Sequence, residues 1–171
     1  KRLVGAKEFI NNIDRWCLWI PDEELEKALL IHPIKERIEN VKKMRLSSRD
    51  EGANELAERP HQFREFNATT THSIIIPLTT SSRREFVPIG ILSSEFIITN
   101  SASAIYNSEP WVFSAITSEM HMAWMRTTSG RLGDGYRYSS VLVYNTFPFP
   151  NISKKQKEEL NQHVFNILGE R

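Results

Sequence analysis

The chain has 171 residues, of which 40% are hydrophobic and 25% are charged, with 7 glycines and 8 prolines. This length and composition are typical of one packed domain and exclude a disordered, collagen-like or coiled-coil protein. The single cysteine, Cys17, excludes an intramolecular disulfide, and five scattered histidines predict no metal site. The sequence contains no run of about 18 apolar residues, so it predicts no membrane-spanning helix. We therefore expect a metal-free intracellular protein, and its start at Lys1-Arg2 suggests a piece of a longer polypeptide.

The net charge of +1, from 22 basic and 21 acidic residues, does not by itself indicate binding to nucleic acid or to a membrane surface. The distribution of charge says more, because residues 66–150 hold five arginines, five acidic residues and no lysine. Arginine has a planar fork of donors that can pair bidentately with an anion or a base. This small enrichment is compatible with a binding surface. The five arginines are Arg83, Arg84, Arg126, Arg131 and Arg137.

The first third of the chain is predicted to be mostly helical. Arg15–Ile20 is short, aromatic and β-prone, and Pro21 stops it, so we predict a strand there. Residues 22–66 then carry apolar side chains at three- and four-residue spacing, which indicates amphipathic helix. We expect this helix to be bent or broken before Pro33, and shorter helical turns to be interrupted by Pro60.

From His72 the sequence is typical of a small sheet. Short β-branched or aromatic runs are separated by turn residues, and they lie at Ser73–Pro77, Phe86–Leu92, Phe96–Thr99 and Ala102–Tyr106. Trp111–Ser129 is predicted to form one long apolar helix that ends with Gly130 as the residue following the cap. A glycine-rich turn and a strand over Tyr136–Tyr144 follow, and a capping box at Ser153–Gln156 predicts a terminal helix. The predicted class is α+β, with a small mixed or antiparallel sheet, a long central helix, an N-terminal helical region and a C-terminal helix.

Common enzyme signatures are absent from the sequence. It contains no G-x-S-x-G, P-loop or H-E-x-x-H motif, and the glycines of residues 130–135 have the wrong order for a dinucleotide fingerprint. Cys17 lies on a hydrophobic segment and is expected to pack rather than react. His121 is expected to be a hydrogen-bonded helical histidine rather than a base, because no partner carboxylate or nucleophile can be nominated. We therefore nominate no catalytic residue.

Three segments favour a binding role, and each has a plain alternative. Arg126 and Arg131 flank a helix end, where they could serve the helix dipole or an anionic ligand. Arg137 lies between two tyrosines in 133–139, which suits bidentate recognition of guanine, although a solvated arginine on a hairpin edge would look the same. The hydroxyls and cations of 79–84 are typical of phosphate contacts and equally of an ordinary polar loop.

Several segments resemble a known family when taken together and in order. They are Arg83–Gly90, Thr99–Ala102, His121–Arg126, Gly130–Leu132 followed by Tyr136–Ser139, and Val143–Pro150. They resemble the target-recognition region and C-terminal tail of MmeI-type DNA methyltransferases, which include the bifunctional Type IIG/IIL restriction–modification enzymes. Lys7–Ile10 and Arg15–Trp19 resemble the stretch that links the methyltransferase core to this region.

The resemblance implies that the intact enzyme methylates the exocyclic amino group of adenine with S-adenosylmethionine. The glycine-rich cofactor loop and the Asn/Asp-Pro-Pro-aromatic motif of that reaction are absent, so this part is expected to hold no cofactor and to be noncatalytic. Its expected partners are double-stranded DNA and the methyltransferase domain of the same polypeptide, in a bacterial cytoplasm and away from membranes. The implied organisation is a connector strand at 1–21, a target-recognition domain at 22–150 and a C-terminal helix at 151–171. Within the recognition domain, a helical part at 22–66 is followed by a sheet and recognition part at 72–150.

The resemblance also implies which residues touch DNA. Base readout maps to Ser101, Gly133, Gly135 and Arg137, and Ser101 is expected to act on the same base as Arg137. Relatives often carry a charged pair where this chain has Gly133 and Gly135, so one base would be read through Asp134, through backbone or not at all. The two glycines are expected to tolerate such a pair. The residues expected to contact the DNA backbone are Ser81, Ser82, Arg83, Arg84, Arg126 and Arg131.

Two other classes of function stay open on the sequence. The first is a noncatalytic protein-interaction scaffold that would use the apolar helix 111–129 and the aromatic tail Phe147–Pro150. The second is a small unrecognised enzyme, for which no catalytic pair can be named. Salt-dependent binding to DNA would favour the recognition domain over both.

Overall fold

A computed structural model describes residues 1–169, and the chain divides into two compact units. The first unit comprises Lys1 and Cys17–Asn67, and the second comprises Arg2–Trp16 and Ala68–Arg171. Helices and strands are both present, so the predicted α+β class is confirmed.

Seven α-helices and eight strands lie within residues 1–169. The helices are α1 (Ala6–Asn11), α2 (Leu25–Leu29), α3 (His32–Leu46), α4 (Glu51–Glu55), α5 (Pro110–Ile116), α6 (Glu119–Thr128) and α7 (Lys154–Gly169). The strands are β1 (Arg2–Val4), β2 (His72–Pro77), β3 (Thr79–Thr80), β4 (Gly90–Ser93), β5 (Phe96–Ile98), β6 (Ala102–Tyr106), β7 (Gly130–Leu132) and β8 (Gly135–Arg137). Shorter 3-10 turns cover Asp22–Glu24 and Leu56–Glu58, and a π-helical segment covers Ser140–Tyr144.

The first unit is helical, as the apolar spacing predicts. The break before Pro33 is confirmed, because α2 ends at Leu29 and Pro33 lies in the first turn of α3, where a missing N–H leaves no hydrogen bond unmade. The partly buried guanidinium of Arg45 fixes the irregular chain after α4. It donates to the carbonyl oxygens of Leu56 at 2.6 Å, Arg59 at 2.9 Å and Gln62 at 2.7 Å.

The strand predicted over Arg15–Ile20 is wrong. Its ladder pairing among the described residues is limited to one antiparallel bridge between Trp16 and Arg2. Further along, Trp19 stacks on Phe66, with ring centroids 4.0 Å apart and ring planes 4° apart. Aromatic stacking, rather than a neighbouring strand, therefore holds the second half of this segment.

The second unit is organised around β2. This strand is the centre of the antiparallel sheet β4–β2–β6, and its residues Ser73–Pro77 are all buried. Ile74 and Ile76 face the larger core, whereas Ile75 faces a smaller core that includes Val4. Because successive side chains of a strand point to opposite faces, three isoleucines in a row suit a strand that is covered on both sides.

Two further sheets accompany the β4–β2–β6 sheet, so the one small sheet expected from the sequence is divided into three. β1 pairs in parallel with β5. β7 and β8 form an antiparallel hairpin, and β3 pairs with the other edge of β8. We call the β3–β8–β7 sheet the hairpin sheet.

The long central helix predicted over Trp111–Ser129 is wrong, because α5 and α6 are separate helices. Ser118 ends the break between them, and its Oγ accepts the backbone N–H of His121 at 3.2 Å and so caps α6. Gly130 does not terminate the helix in a left-handed conformation. Gly130 is instead the first residue of β7. Among residues 1–169, the glycine with a positive φ is Gly133, at 60°.

Two predicted strands are shorter than their sequence patterns. Phe86–Leu92 becomes a strand only at Gly90, because Pro88 has no N–H to donate to a ladder and the N–H of Val87 points to Met122 Sδ at 3.4 Å.

Tyr136–Tyr144 is a strand only as far as the end of β8 at Arg137. Beyond it, Ser139 Oγ accepts the N–H of Leu142 at 3.3 Å and caps the π-helical segment, in which Val143 is fully buried. Local capping and burial of one side chain have replaced the predicted strand.

The capping box at the C-terminal helix is confirmed. The N–H of Gln156 donates to Ser153 Oγ at 3.3 Å, and the N–H of Ser153 donates to Gln156 Oε1 at 2.8 Å. α7 follows and places Val164 in the larger core. Residues 170 and 171 of the expected helix lie outside the described residues.

His121 is fully buried and hydrogen-bonded, as expected. Its Nε2 lies 3.0 Å from the hydroxyl of Tyr138, and its ring meets Phe147 edge-on, with centroids 4.5 Å apart. Burial lowers the pKa of His121 to about 4, because the charged imidazolium would lose its hydration. The histidine is therefore neutral at pH 7.

We expect this histidine to make the stability of the chain depend on pH. Its pKa in the folded state lies below the value of about 6.5 in the unfolded state, so its contribution is complete above pH 6.5 and is lost as the pH falls toward 4. Between pH 7 and pH 5 the contribution of His121 to the free energy of unfolding should fall by about 2 kcal/mol, measured as the difference between wild type and a non-titrating variant in urea denaturation.

The variant His121→Gln should lose most of that pH dependence, because glutamine does not titrate. The matched control His163→Gln changes an exposed histidine of α7 and should keep it. An equal pH dependence in wild type and His121→Gln would contradict the assignment.

Gly135 is required by a close approach between two strands. A Cβ at this position would lie 2.7 Å from the carbonyl oxygen of Thr80, which is backbone and cannot move aside easily. At Gly130, in the same sheet, a Cβ would meet nothing within 4 Å. The two glycines therefore differ in the space available for a side chain.

We expect Gly135→Ala to lower the free energy of unfolding by about 1–3 kcal/mol, the usual range for overpacking. Gly130→Ala should change it by less than about 0.5 kcal/mol and serves as the control. Chemical denaturation of the two variants measures both values. Equal stability of the two variants would show that the hairpin sheet can open at Gly135.

Candidate nucleic-acid interface

Arg137 lies on an exposed face of the hairpin sheet. It ends β8, the central strand of the hairpin sheet, and its cross-strand partners are Thr79 on β3 and Gly130 on β7. Side chains directly opposite each other in an antiparallel pair lie on the same face. Thr79 is exposed and Gly130 has no side chain, so the space beside Arg137 is open. Its exposed guanidinium has no hydrogen-bond or ion-pair partner within residues 1–169.

The tyrosines on either side of Arg137 anchor β8 on the opposite face, as strand alternation predicts. Tyr138 is 2% exposed and belongs to the larger core. Tyr136 is half-buried, and the guanidinium of Arg131 lies 4.0 Å from its ring centroid, a cation–π contact. Arg131 therefore stabilises the hairpin itself.

The tip of the β7–β8 hairpin is tied to the neighbouring loop. Gly133 adopts the left-handed conformation, and the exposed carboxylate of Asp134 accepts a hydrogen bond from Ser82 Oγ at 3.4 Å. A side chain at Gly133 would have space but a strained backbone, and at Gly135 it would meet Thr80. The expectation that both glycines tolerate a charged pair is therefore wrong for Gly135 and is met at Gly133 only with strain.

Residues 81–86, which we call the arginine loop, carry two exposed cations. Ser81 closes the turn, because its Oγ accepts the N–H of Arg83 at 3.2 Å and its carbonyl oxygen accepts the N–H of Arg84 at 3.1 Å. Both guanidinium groups are exposed, and neither has a partner in the described part of the chain. The loop therefore presents two cations with all of their side-chain donors free.

Arg126 supports the arginine loop from α6. Its Nη2 donates to the carbonyl oxygen of Glu85, so one of its donors is used within the protein. Sequence reasoning left open whether Arg126 and Arg131 serve the helix dipole or an anion. The contacts reveal a third role, since Arg126 holds the loop and Arg131 holds the hairpin.

Ser101 is linked through Leu78 to the residue after β8, and its hydroxyl is already engaged. Its Oγ accepts the N–H of Ala6 at 3.0 Å and lies 3.1 Å from Thr99 Oγ1. Its carbonyl oxygen accepts the N–H of Leu78, and the carbonyl oxygen of Leu78 accepts the N–H of Tyr138 at 2.8 Å. Leu78 therefore joins Ser101 to the residue that follows Arg137.

Sequence reasoning missed two features of this site. Thr79 was assigned to a polar loop, and its place opposite Arg137 depends on a register between distant segments that no local pattern reports. The bond between Tyr138 and His121 was also missed, although the alternation of the strand did indicate that Tyr138 faces inward.

Other kinds of site find no support in the described residues. Among residues 1–169, no three His, Cys, Asp or Glu side chains are grouped so that they could hold a metal ion. No helix in that range is long and apolar enough to cross a membrane.

Comparison with known proteins gives one consistent family. Residues 1–151 match the family described as MmeI, target recognition domain. DNA methyltransferase A of Bacillus subtilis (strain 168) is 39% identical over 168 residues, which cover 98% of this chain and 19% of that protein. A solved structure of the Type IIL restriction–modification enzyme MmeI in complex with DNA has a TM-score of 0.89 and 37% identity, covering 99% of this chain and 23% of that one. This chain thus spans about a fifth of the length of these relatives, and it belongs to the family of MmeI target recognition domains.

Proposed function

We propose that this chain recognises a DNA sequence on behalf of a larger adenine methyltransferase that uses S-adenosylmethionine. Three observations support the proposal: membership of the target recognition family, a relative named as a DNA methyltransferase, and a relative solved with DNA. The methyltransferase domain of the same polypeptide would supply the cofactor site and the catalytic residues. Such an enzyme would modify DNA in the cytoplasm of a bacterium.

The observation that carries the proposal is the exposed guanidinium of Arg137, which has no partner in the described part of the chain and lies on a strand paired on both edges. A two-stranded antiparallel ribbon fits the major groove, where guanine presents O6 and N7 to a bidentate arginine. The β7–β8 hairpin is two-stranded at its tip, and β3 pairs with β8 at Tyr136 and Arg137. We assign Arg137 to guanine, because the planar fork matches that pair of acceptors and the neighbouring space is open.

The remaining base-readout residues act around Arg137. Ser101 Oγ accepts the N–H of Ala6, and its hydroxyl proton can be donated to the same base pair if Thr99 Oγ1 is the donor in their 3.1 Å contact. Asp134 can accept from a cytosine amino group. Gly133 and Gly135 bring only backbone groups to the groove. One base position is therefore read through Asp134 or through backbone.

The arginine loop holds the phosphate backbone in this proposal. Arg83 and Arg84 supply free cations, and Ser81 and Ser82 supply hydroxyls beside them. Arg126 and Arg131 add contacts through the donors that their internal contacts leave unused. The proposed backbone contacts are thus Ser81, Ser82, Arg83, Arg84, Arg126 and Arg131.

A protein-interaction scaffold is not favoured, because the surfaces it would use are packed. Phe113 and Ile116 of α5 and Met122 and Met125 of α6 lie in the larger core. In the aromatic tail, Phe147 is 6% exposed. The organisation that we propose is a connector at 1–21, a recognition domain at 22–150 and a C-terminal helix from 151.

Replacing Arg137 with alanine in the intact methyltransferase should relax one base of the methylated motif. A bidentate arginine–guanine contact contributes about 1–3 kcal/mol of discrimination, so the preference should fall roughly ten- to hundredfold at that base and stay unchanged elsewhere. Single-molecule sequencing of the methylated DNA reads this directly. An unchanged motif with uniformly lower methylation would place Arg137 among the phosphate contacts.

Replacing Arg83 or Arg84 with alanine should weaken binding equally on all DNA sequences. Removing one phosphate contact should reduce the slope of log affinity against log salt concentration by about one unit. Titrations of the intact enzyme at several salt concentrations measure the slope, and sequencing of its methylated sites serves as the control. A changed motif would contradict the assignment to phosphate.

A further inference from the structure

The bond between Tyr138 and His121 lies directly behind the proposed reading residue. Tyr138 is the residue directly after β8, and its side chain is buried in the larger core, whereas Arg137 is exposed. Its hydroxyl lies 3.0 Å from His121 Nε2, and both side chains are fully buried. A buried hydrogen bond therefore holds the residue next to Arg137, whose guanidinium is on the surface.

His121 is held by α6 and by the larger core, so its bond to Tyr138 does not depend on a loop. Its backbone N–H is bonded to the Ser118 cap of α6, and its ring packs edge-on against Phe147. The neighbouring residue Met122 is also buried in the larger core. The bond therefore joins the residue after β8 to a packed helix.

Arg137 depends on this support, because no side chain of the described residues holds its guanidinium. A bidentate contact needs its donors placed within about 0.5 Å and 10–20° of the ideal geometry. Since no described side chain holds the guanidinium of Arg137, the direction of β8 determines where its donors point. The backbone bond from Tyr138 N–H to Leu78 fixes one side of the strand, and the hydroxyl bond to His121 fixes its depth.

We propose that Tyr138 and His121 are positioning residues that set the sequence specificity of Arg137 without touching DNA. This inference rests on the proposed function of Arg137. The pair acts through the strand, so its loss should affect one base of the motif and leave the others as they are.

The test is the variant Tyr138→Phe in the intact methyltransferase, with discrimination measured at each base by sequencing of methylated DNA. The ring stays in place, and one buried hydrogen bond is removed. Discrimination at the base read by Arg137 should fall roughly three- to tenfold, the usual size of one hydrogen bond. In an Arg137→Ala background the same change should have no further effect on that base.

Tyr144→Phe is the matched control. Tyr144 packs against the same core, and its hydroxyl has no hydrogen-bond partner in the described chain. Its replacement should leave discrimination at every base unchanged. An equal loss in Tyr144→Phe and Tyr138→Phe would overturn the proposal, because general loosening of the core would then explain the effect.

Variants of His121 give an independent readout. In His121→Gln, an amide replaces Nε2 near the Tyr138 hydroxyl and should keep discrimination within about twofold of wild type, whereas His121→Leu should lower it as Tyr138→Phe does. Unchanged discrimination in both His121→Leu and Tyr138→Phe would overturn the positioning role while leaving the role of Arg137 intact. An unchanged motif in Arg137→Ala would instead overturn the proposed function, and the positioning role with it.

Discussion

One stretch of chain belongs to two sheets, and the position of the candidate site depends on it. β2 is covered on both faces at the centre of the unit, and beyond Leu78 the same chain becomes β3, an edge of the hairpin sheet. Leu78 donates its N–H to Ser101 and accepts the N–H of Tyr138. Leu78 thus connects the buried strand β2 to the chain at the end of β8 through backbone hydrogen bonds. The position of β8 therefore depends on the burial of β2. Arg137 is thereby presented by a strand that is hydrogen-bonded on both edges, which helps to place its donors for a precise contact.

The arginines of the second unit divide by their contacts. Arg126 and Arg131 bind a backbone carbonyl and a tyrosine ring, and they stabilise the arginine loop and the hairpin. Arg83, Arg84 and Arg137 have no side-chain partner among residues 1–169. With a net charge of only +1, the chain has little long-range attraction for a polyanion. Recognition by this domain would therefore depend on the placement of a few free guanidinium groups rather than on total charge.

Much of the fold was predictable wherever the cause is local. The cap at Ser153, the break before Pro33 and the strand over Ser73–Pro77 each follow from the residues and their near neighbours. The helix break at 117–118 was not predictable from spacing, because apolar residues on both sides keep a helical period. The π-helical segment at 140–144 was missed for a related reason, since its β-prone residues lack a strand to pair with.

By itself the sequence determined the family, through motifs in a fixed order, and the inward tyrosines on either side of Arg137, through strand alternation. The tertiary structure alone decided which arginines are free, that the hydroxyl of Ser101 is engaged, and that Gly135 has no room for a side chain. These properties come from contacts between distant segments, such as Ser82 with Asp134, 52 residues apart, and Arg126 with Glu85, 41 residues apart. Such contacts depend on strand register and packing, and a local sequence pattern carries no information about either.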